Sequence, residues 1–446
     1  MFTIPKGSPL TKEMIKSAID FNELSREGYD LMERYYLGQH DILERVRSLT
    51  LKNNKVVVNH AKYITDINVG YLLGNPIEYQ ANEQYNIEPI LDEYKQQTIS
   101  DLDHEIAKDV SVFGRQYELV YNVDNMVRSA NIDVRNCILV YDDTVQHEKM
   151  FGIIYKRGEK KDTFDAITVY DNNFKYDCAV GGKISVGEGE PHAFGKVPIV
   201  EYRNNSDLQG DFKQVLPLID AYNLLQSDRI NDKEQLVDAI LVLYGFTMTG
   251  EQADQLMNER ILGNLPLDAK AEYLIKTLNE ADTDTLRQVL EQDIHKISMT
   301  PNMSDENFVG NSSGVAIRYK LLAFEQSIKN KERYFEKGLM QRFELYNNYL
   351  KSINKMQIVP TYEVDAIFKR NLPQNDYETS QMILNLDRII DRETLIGQLS
   401  FIKNAKEVIE ANELEEQENL NIGAGEYGTN SPLTNLLKPI NENDQG

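Results

Sequence analysis

The fold is decided by the stretch Pro301-Asn-Met-Ser-Asp-Glu-Asn-Phe-Val-Gly-Asn-Ser-Ser313 and the apolar stripe that follows it, Leu321, Phe324, Ile328, Phe335, Leu339, Phe343, Tyr346 and Leu350. The first part is polar, is punctuated by Pro, Asn, Ser and Gly, and has no hydrophobic period, so it reads as a loop. The second repeats at three- and four-residue steps, the period of a helix with one buried face. Ser312 or Ser313 supplies the N-cap, and the stripe predicts a helix of about 37 residues, ~55 Å long. Few monomeric domains have use for such a span. The preceding helix is predicted to start at Asp282 or Thr283 and to stop before Pro301.

Upstream, Leu218, Tyr222, Leu225, Leu236, Ile240 and Leu243 predict one long helix over 211–244. Its middle, Ser227-Asp-Arg-Ile-Asn-Asp-Lys-Glu234, is strongly polar. A long helix with a polar waist is more easily buried between like neighbours than in one globular core, which hints at an oligomer. Residues 245–282 are mixed and acidic, with a turn in Leu262-Gly-Asn-Leu-Pro-Leu267. Residues 1–113 read as helical, with a stop at Gly74 and Pro76 and a second periodic stretch from Ile87 to Val110. Over 116–202 short β-rich runs such as Cys137-Ile-Leu-Val-Tyr141 and Phe151-Gly-Ile-Ile-Tyr155 alternate with turn residues, predicting a small, mostly antiparallel sheet. Ile358–Val364 reads as a strand. The tail from Asp376 reads as one or two helices with an acidic run at Glu407–Glu418, and 421–446 reads as disordered. The fold class is α+β, mainly helical, in roughly three domain-sized units.

The 446 residues carry 48 Lys+Arg against 71 Asp+Glu, a net charge of -23. That balance excludes a protein that grips nucleic acid by neutralising phosphates. The charge is uneven: residues 313–355 hold nine Lys/Arg against four Asp/Glu, whereas 247–312 hold five against twelve. Two cysteines exclude a disulfide scaffold and a cysteine zinc cluster and fit a reducing compartment. The start lacks a signal-peptide pattern, and the longest apolar run, Ala239–Phe246, is far short of a membrane helix, so cytosolic synthesis and no membrane partner are expected.

Catalytic signals are missing. The nearest approach to a phosphate loop, Gly189 to Gly195-Lys196, is one residue too long, and Val197 stands where the hydroxyl is needed. His40, His60, His104, His147, His192 and His295 form no metal-binding pair, and Cys137 and Cys178 have no activating neighbour in the sequence. Pairs such as Asp142-Asp143 arise by chance in an acidic chain. The expectation is a non-enzymatic protein with no cofactor and no metal.

Several stretches resemble the portal, or head–tail connector, proteins of tailed double-stranded-DNA phages, in the siphophage type of Gram-positive hosts. They are Tyr63-Ile-Thr-Asp-Ile-Asn-Val-Gly-Tyr-Leu-Leu-Gly-Asn-Pro-Ile77, Gly195-Lys-Val-Pro-Ile-Val-Glu-Tyr-Arg-Asn-Asn205, Leu218-Ile-Asp-Ala-Tyr-Asn223, Asp238-Ala-Ile-Leu-Val242, Pro301-Asn-Met-Ser-Asp-Glu306, Ser313-Gly-Val-Ala-Ile-Arg-Tyr-Lys-Leu-Leu322 and Ile390-Asp-Arg-Glu-Thr394. The likeness runs in order over about 55–420.

The resemblance implies a ring of about twelve subunits at the capsid's portal vertex, with DNA passing through its axis. Its subdivision implies a wing over 1–210, a stem helix over 211–244, a clip over 245–282, a second stem helix over 283–300 and a tunnel loop over 301–313. A long wing helix and strand over 314–373, a crown over 374–420 and the tail over 421–446 complete it. The implied partners are further copies of the chain, passing double-stranded DNA, the terminase large subunit, a head-completion or neck adaptor, and the scaffold and major capsid proteins. Asn302, Ser304, Asp305, Glu306, Asn307, Phe308 and Asn311 would face DNA. Lys320, Lys329 and Arg333 would contact either DNA or a neighbouring subunit. Another phage neck or baseplate ring protein without a conduit role is the alternative reading.

Overall fold

The structure is a computed structural model, and it describes residues 1–48, 52–158, 163–179, 184–237, 240–244, 249–250, 270–274, 280–304, 319, 321–370, 376–386, 389–397, 399, 402, 405 and 408–414. It is mixed α/β and divides into two compact units, Met1–Asn371 and Leu372–Gly446.

In the first unit, β1 (Phe2–Ile4) leads to α1 (Lys12–Glu23) and α2 (Arg26–Tyr36). The Thr11 hydroxyl caps α1 by accepting from the Met14 N–H. The Asn59 side chain does the same for α3 (His60–Leu73) through the Lys62 N–H. After β2 (Glu78–Ala81) the predicted second helical stretch is two helices, α4 (Glu88–Gln96) and α5 (Ile99–Phe113). They are separated at Thr98, whose φ of 50° places it in the left-handed region. Gly114 ends α5 at φ +86°, and a Cβ there would sit 2.2 Å from the Leu208 carbonyl oxygen, so both the conformation and the space demand glycine.

The β-rich middle forms two sheets rather than one. A six-stranded sheet has the order β1-β5-β6-β7-β8-β9, with β5 (Cys137–Asp142), β6 (Lys149–Arg157), β7 (Phe164–Tyr170), β8 (Phe174–Ala179) and β9 (Ser185–Pro191). It is antiparallel except that β1 runs parallel to β5. A three-stranded sheet pairs β10 (Ile199–Arg203), β3 (Arg115–Val123) and β4 (Met126–Ile132). Asp124 and Asn125, both at positive φ, make the two-residue turn that joins β3 to β4. Strand β5 is buried along its whole length. Its alternation sends Cys137, Leu139 and Tyr141 into a core with α3, α5 and α6, and Ile138 and Val140 into a core with α1.

Helix α6 is Leu216–Val237, and Ile240–Tyr244 is not its continuation but strand β11, antiparallel to β12 (Lys270–Leu274). The run Ile240-Leu-Val-Leu-Tyr244 is short and apolar on every residue, so periodicity cannot separate helix from strand there. A strand partner about thirty residues later decides it. Most of 245–282 lies outside the described residues. Helix α7 is Glu280–Ile297, starting slightly earlier than expected. The long helix α8 is Leu322–Ser352, 31 residues, and residues 305–318 and 320 before it lie outside the described residues. The later strand is β13 (Val364–Ile367), paired with β2; the expected strand at Ile358–Val364 is mostly approach and a 3-10 turn. In the second unit, α9 (Asp376–Leu386) and α10 (Arg392–Ile396) are helical, the latter capped by Asp391, and 421–446 lies outside the described residues.

The polar waist of α6 has a reason within the chain. Asn223, Ser227 and Asn231 are buried, four residues apart on one face. They accept from the N–H groups of Val58, Val56 and Asn54 at 2.8, 2.9 and 2.8 Å. An extended segment without a sheet partner thus has its backbone satisfied by side chains.

Buried charge holds α8 in place. Arg342 is fully buried, with Nη2 2.6 Å from Asp103 of α5 and Nε 2.8 Å from Glu118 of β3. Burial alone would pull its pKa down, but the two carboxylates outweigh that and hold its proton firmly. Tyr202 donates to the same Glu118 carboxylate at 2.6 Å. Three turns earlier on the same face, buried Lys331 pairs with Asp211 at 2.7 Å and donates to Ser111. Gly338 lets α8 approach β10, because a Cβ there would lie 2.4 Å from the Tyr202 ring.

Arg342→Leu strands two buried carboxylates and is expected to cost about 3–5 kcal/mol. Gly338→Ala is expected to cost about 1–3 kcal/mol through overpacking. Chemical denaturation of each variant against the parent chain measures both.

Candidate functional site

The candidate site is the connection between α7 and α8, together with the outward face of α8. Its first foot is built residue by residue. Met299 takes a left-handed φ of 55° after α7 and turns the chain. Thr300 is buried; its hydroxyl accepts from Asn68 at 3.0 Å, and its carbonyl accepts from His295 Nδ1–H at 3.0 Å. The Tyr63 hydroxyl donates to the Pro301 carbonyl at 3.1 Å and accepts from the Met303 N–H at 2.9 Å. Asn302 uses both ends of its amide: Nδ2 donates to Glu291 at 2.9 Å, and Oδ1 accepts from the Ser304 N–H at 3.0 Å.

Beneath this foot the His60 ring stands edge-on to Tyr222 and His295, with centroids 4.8 and 5.8 Å away. Burial, and then the neighbouring His295 and His40 rings, push the His60 pKa down to about 4. Burial also lowers His295, against its bond to the Thr300 carbonyl. His40 donates through Nε2 to the Tyr35 carbonyl, and its Nδ1 accepts from Asn223. These histidines are neutral packing groups of one polar cluster.

The second foot is the start of α8. Tyr71 of α3 donates to Glu325 at 2.6 Å, and its ring packs on Phe324 at 4.8 Å. Arg370 bridges Glu325, at 3.1 Å, and Glu332.

The basic character of α8 then divides in two. Lys331 and Arg342 are consumed in the interior. Lys329, Arg333 and Lys337 are exposed at four-residue spacing on the side away from the core, and none makes an ion pair with a described residue. Arg333, Tyr334, Lys337 and Met340 border an open groove of about 640 Å³. Lys337 lies 5.2 Å from the Tyr334 ring centroid.

Of the residues singled out from sequence, Asn302 and Ser304 belong to the first foot, and Lys329 and Arg333 share the exposed face. Asp305, Glu306, Asn307, Phe308, Asn311 and Lys320 lie outside the described residues. Glu291 carries no sequence signal, Tyr63 and Asn68 enter the sequence reading only within the family-like stretch 63–77, and His295 only as a histidine without a metal-binding partner. Among the described residues no group of His, Cys, Asp or Glu is placed to hold a metal ion, and no helix is long and apolar enough to cross a membrane. Burial pushes the thiols of Cys137 and Cys178 up, away from reactivity.

A family model described as phage portal protein, SPP1 Gp6-like, matches residues 15–421. The chain belongs to the phage portal protein family. It is 22% identical over 418 residues to the portal protein of Bacillus phage SPP1, covering 84% of this chain and 80% of that one. It is 24% identical over 234 residues to the portal protein of Clostridium phage phiCD119, covering 48% of each. A chain from the neck of an empty GTA particle superposes with a TM-score of 0.43 at 13% identity, covering 78% of this chain and 88% of that one, a likeness too slight to add to the assignment. As a portal, the chain is a head–tail connector of a bacteriophage, a structural and ring-forming capsid component that works with other phage proteins, and it is not an enzyme.

The pH dependence of stability follows from His60. Between pH 6.5 and about 4 the unfolded chain binds a proton that the folded chain refuses, so stability is lost as pH falls through that window. The slope from this one group is at most about 1.4 kcal/mol per pH unit. His60→Gln should flatten the difference, read by denaturant midpoints at pH 6.5, 5.5 and 4.5. Equal slopes in both proteins would remove the assignment.

Proposed function

We propose that about twelve copies of this chain close into a ring at a single capsid vertex, through which double-stranded DNA is packaged and later ejected. The observation that carries this reading is the family match running unbroken from the N-terminal helices past α8, across the connection at 301–313. In this reading the stem is α6 and α7, the clip begins with the β11–β12 pair and runs to α7, and the wing is everything before α6 together with α8 and β13. The crown is 374–420, within the second compact unit. The clip meets the terminase large subunit during packaging and a neck adaptor afterwards, while the scaffold and major capsid proteins surround the ring.

Charge supports a conduit. Each phosphate neutralised by a wall would add affinity and slow sliding. A ring of such subunits carries a charge beyond about -200, which favours passage over adhesion. The loop residues Asn302, Ser304, Asp305, Glu306, Asn307, Phe308 and Asn311 face the bore, with the asparagines making weak contacts and the acids repelling the duplex. Lys320, Lys329 and Arg333 meet an acidic surface of the adjoining copy. The support for Lys329 and Arg333 is that they are exposed cations without an ion-pair partner among the described residues, on a chain with a net charge of -23.

Electron microscopy of the purified protein is expected to show rings of about twelve or thirteen subunits, near roughly 600 kDa. Rings of the same size that pack no DNA in a reconstituted packaging reaction would defeat the conduit reading. Arg333→Glu should reduce ring formation. If rings persist and only the salt dependence of packaging changes, Arg333 faces DNA instead.

A further inference from the structure

Helix α3 touches both feet of the connection between α7 and α8. Tyr63 holds the first: one hydroxyl donates to the Pro301 carbonyl and accepts from the Met303 N–H. Tyr71 holds the second, through Glu325 and the Phe324 ring. The two tyrosines are eight residues apart on one helix, about 12 Å along its axis. Helix α3 is itself rigidly placed. Its residues Ala61, Ile64, Val69 and Leu72 are buried, and Asn68 reaches Thr300.

We propose that Tyr63 is a positioning residue for the DNA-facing connection: with Tyr71 it makes α3 a two-point staple that fixes the spacing and direction of the two feet. This rests on the reading of 301–313 as the loop that faces DNA. Three features point the same way. A tyrosine hydroxyl that both donates to and accepts from one short backbone segment fixes that segment's orientation as well as its position. The tyrosine ring is itself held, edge-on to His295 with centroids 5.5 Å apart. Asn302 closes the foot from the other side, onto Glu291 and the Ser304 N–H, so it acts as a brace.

The test uses Tyr63→Phe in the full chain, which keeps the ring against His295 and removes the hydroxyl alone. Hydrogen exchange of the Met303 amide should quicken by roughly five- to tenfold, the factor set by one hydrogen bond's net free energy, while amides inside α3 and α8 keep their rates. Rings should still assemble, and DNA packaging should fall several-fold, further in the Tyr63→Phe/Tyr71→Phe double variant. An unchanged Met303 rate overturns the staple. So does parental packaging by a variant whose Met303 rate has risen, provided that deleting 305–311 abolishes packaging. If that deletion packages normally, the DNA-facing role of the loop fails instead, and the staple stands or falls on the exchange rates.

Discussion

Arg342 has no contact with solvent, and it sits where a helix, a strand and a second helix meet. The rest of the first unit depends on that charge being matched. Removing a guanidinium from water costs several kcal/mol, repaid here by Asp103 from α5 and Glu118 from β3. Because the two acids lie on different elements, the arginine can be neutralised only if α8, α5 and the three-stranded sheet are all in place. Lys331 with Asp211 and Ser111 repeats the device eleven residues earlier along α8. Apolar burial would let a long helix slide or roll at little cost. Two buried cations with assigned partners set its register.

That register fixes the described ends of the connection between α7 and α8. The start of α8 is tied to α3 through Tyr71 and Glu325, and the end of α7 is tied to the same helix through Asn68 and Tyr63. In the proposed conduit reading, this connection would have to stay in place beside a passing polyanion without adhering to it. The rigid feet serve the first need, and an acidic chain whose buried cations are already neutralised serves the second.

Helical period and turn residues were enough to read α3, α5, α7 and α8 and the presence of a mainly antiparallel β region. They failed at Ile240–Tyr244, where five apolar residues carry no period and a distant partner strand decides. They failed again over 116–202, where alternating runs announce strands but not which strand pairs with which, so two sheets read as one. The polar waist of α6 was visible, but the intrachain role of part of it was not. Asn223, Ser227 and Asn231 look like a surface waiting for another copy until the extended segment at 52–58 is laid along them.

By itself the sequence determined what depends on local order and on totals. These are the apolar stripe of α8, the polar loop before it, the acidic balance of -23 and the ordered series of stretches that carries the family likeness. Tertiary structure alone decided which charges are hidden and which remain on show. Lys331 and Arg342 read the same as Lys329 and Arg333 in a basic helix, and a rotation of about 100° per residue sends one pair into the core and the other outward. Tyr63 reads as one tyrosine among 25. Only the fold brings it against residues some 240 positions away, because hydrogen-bond partners are set by proximity in space, which a linear pattern does not record.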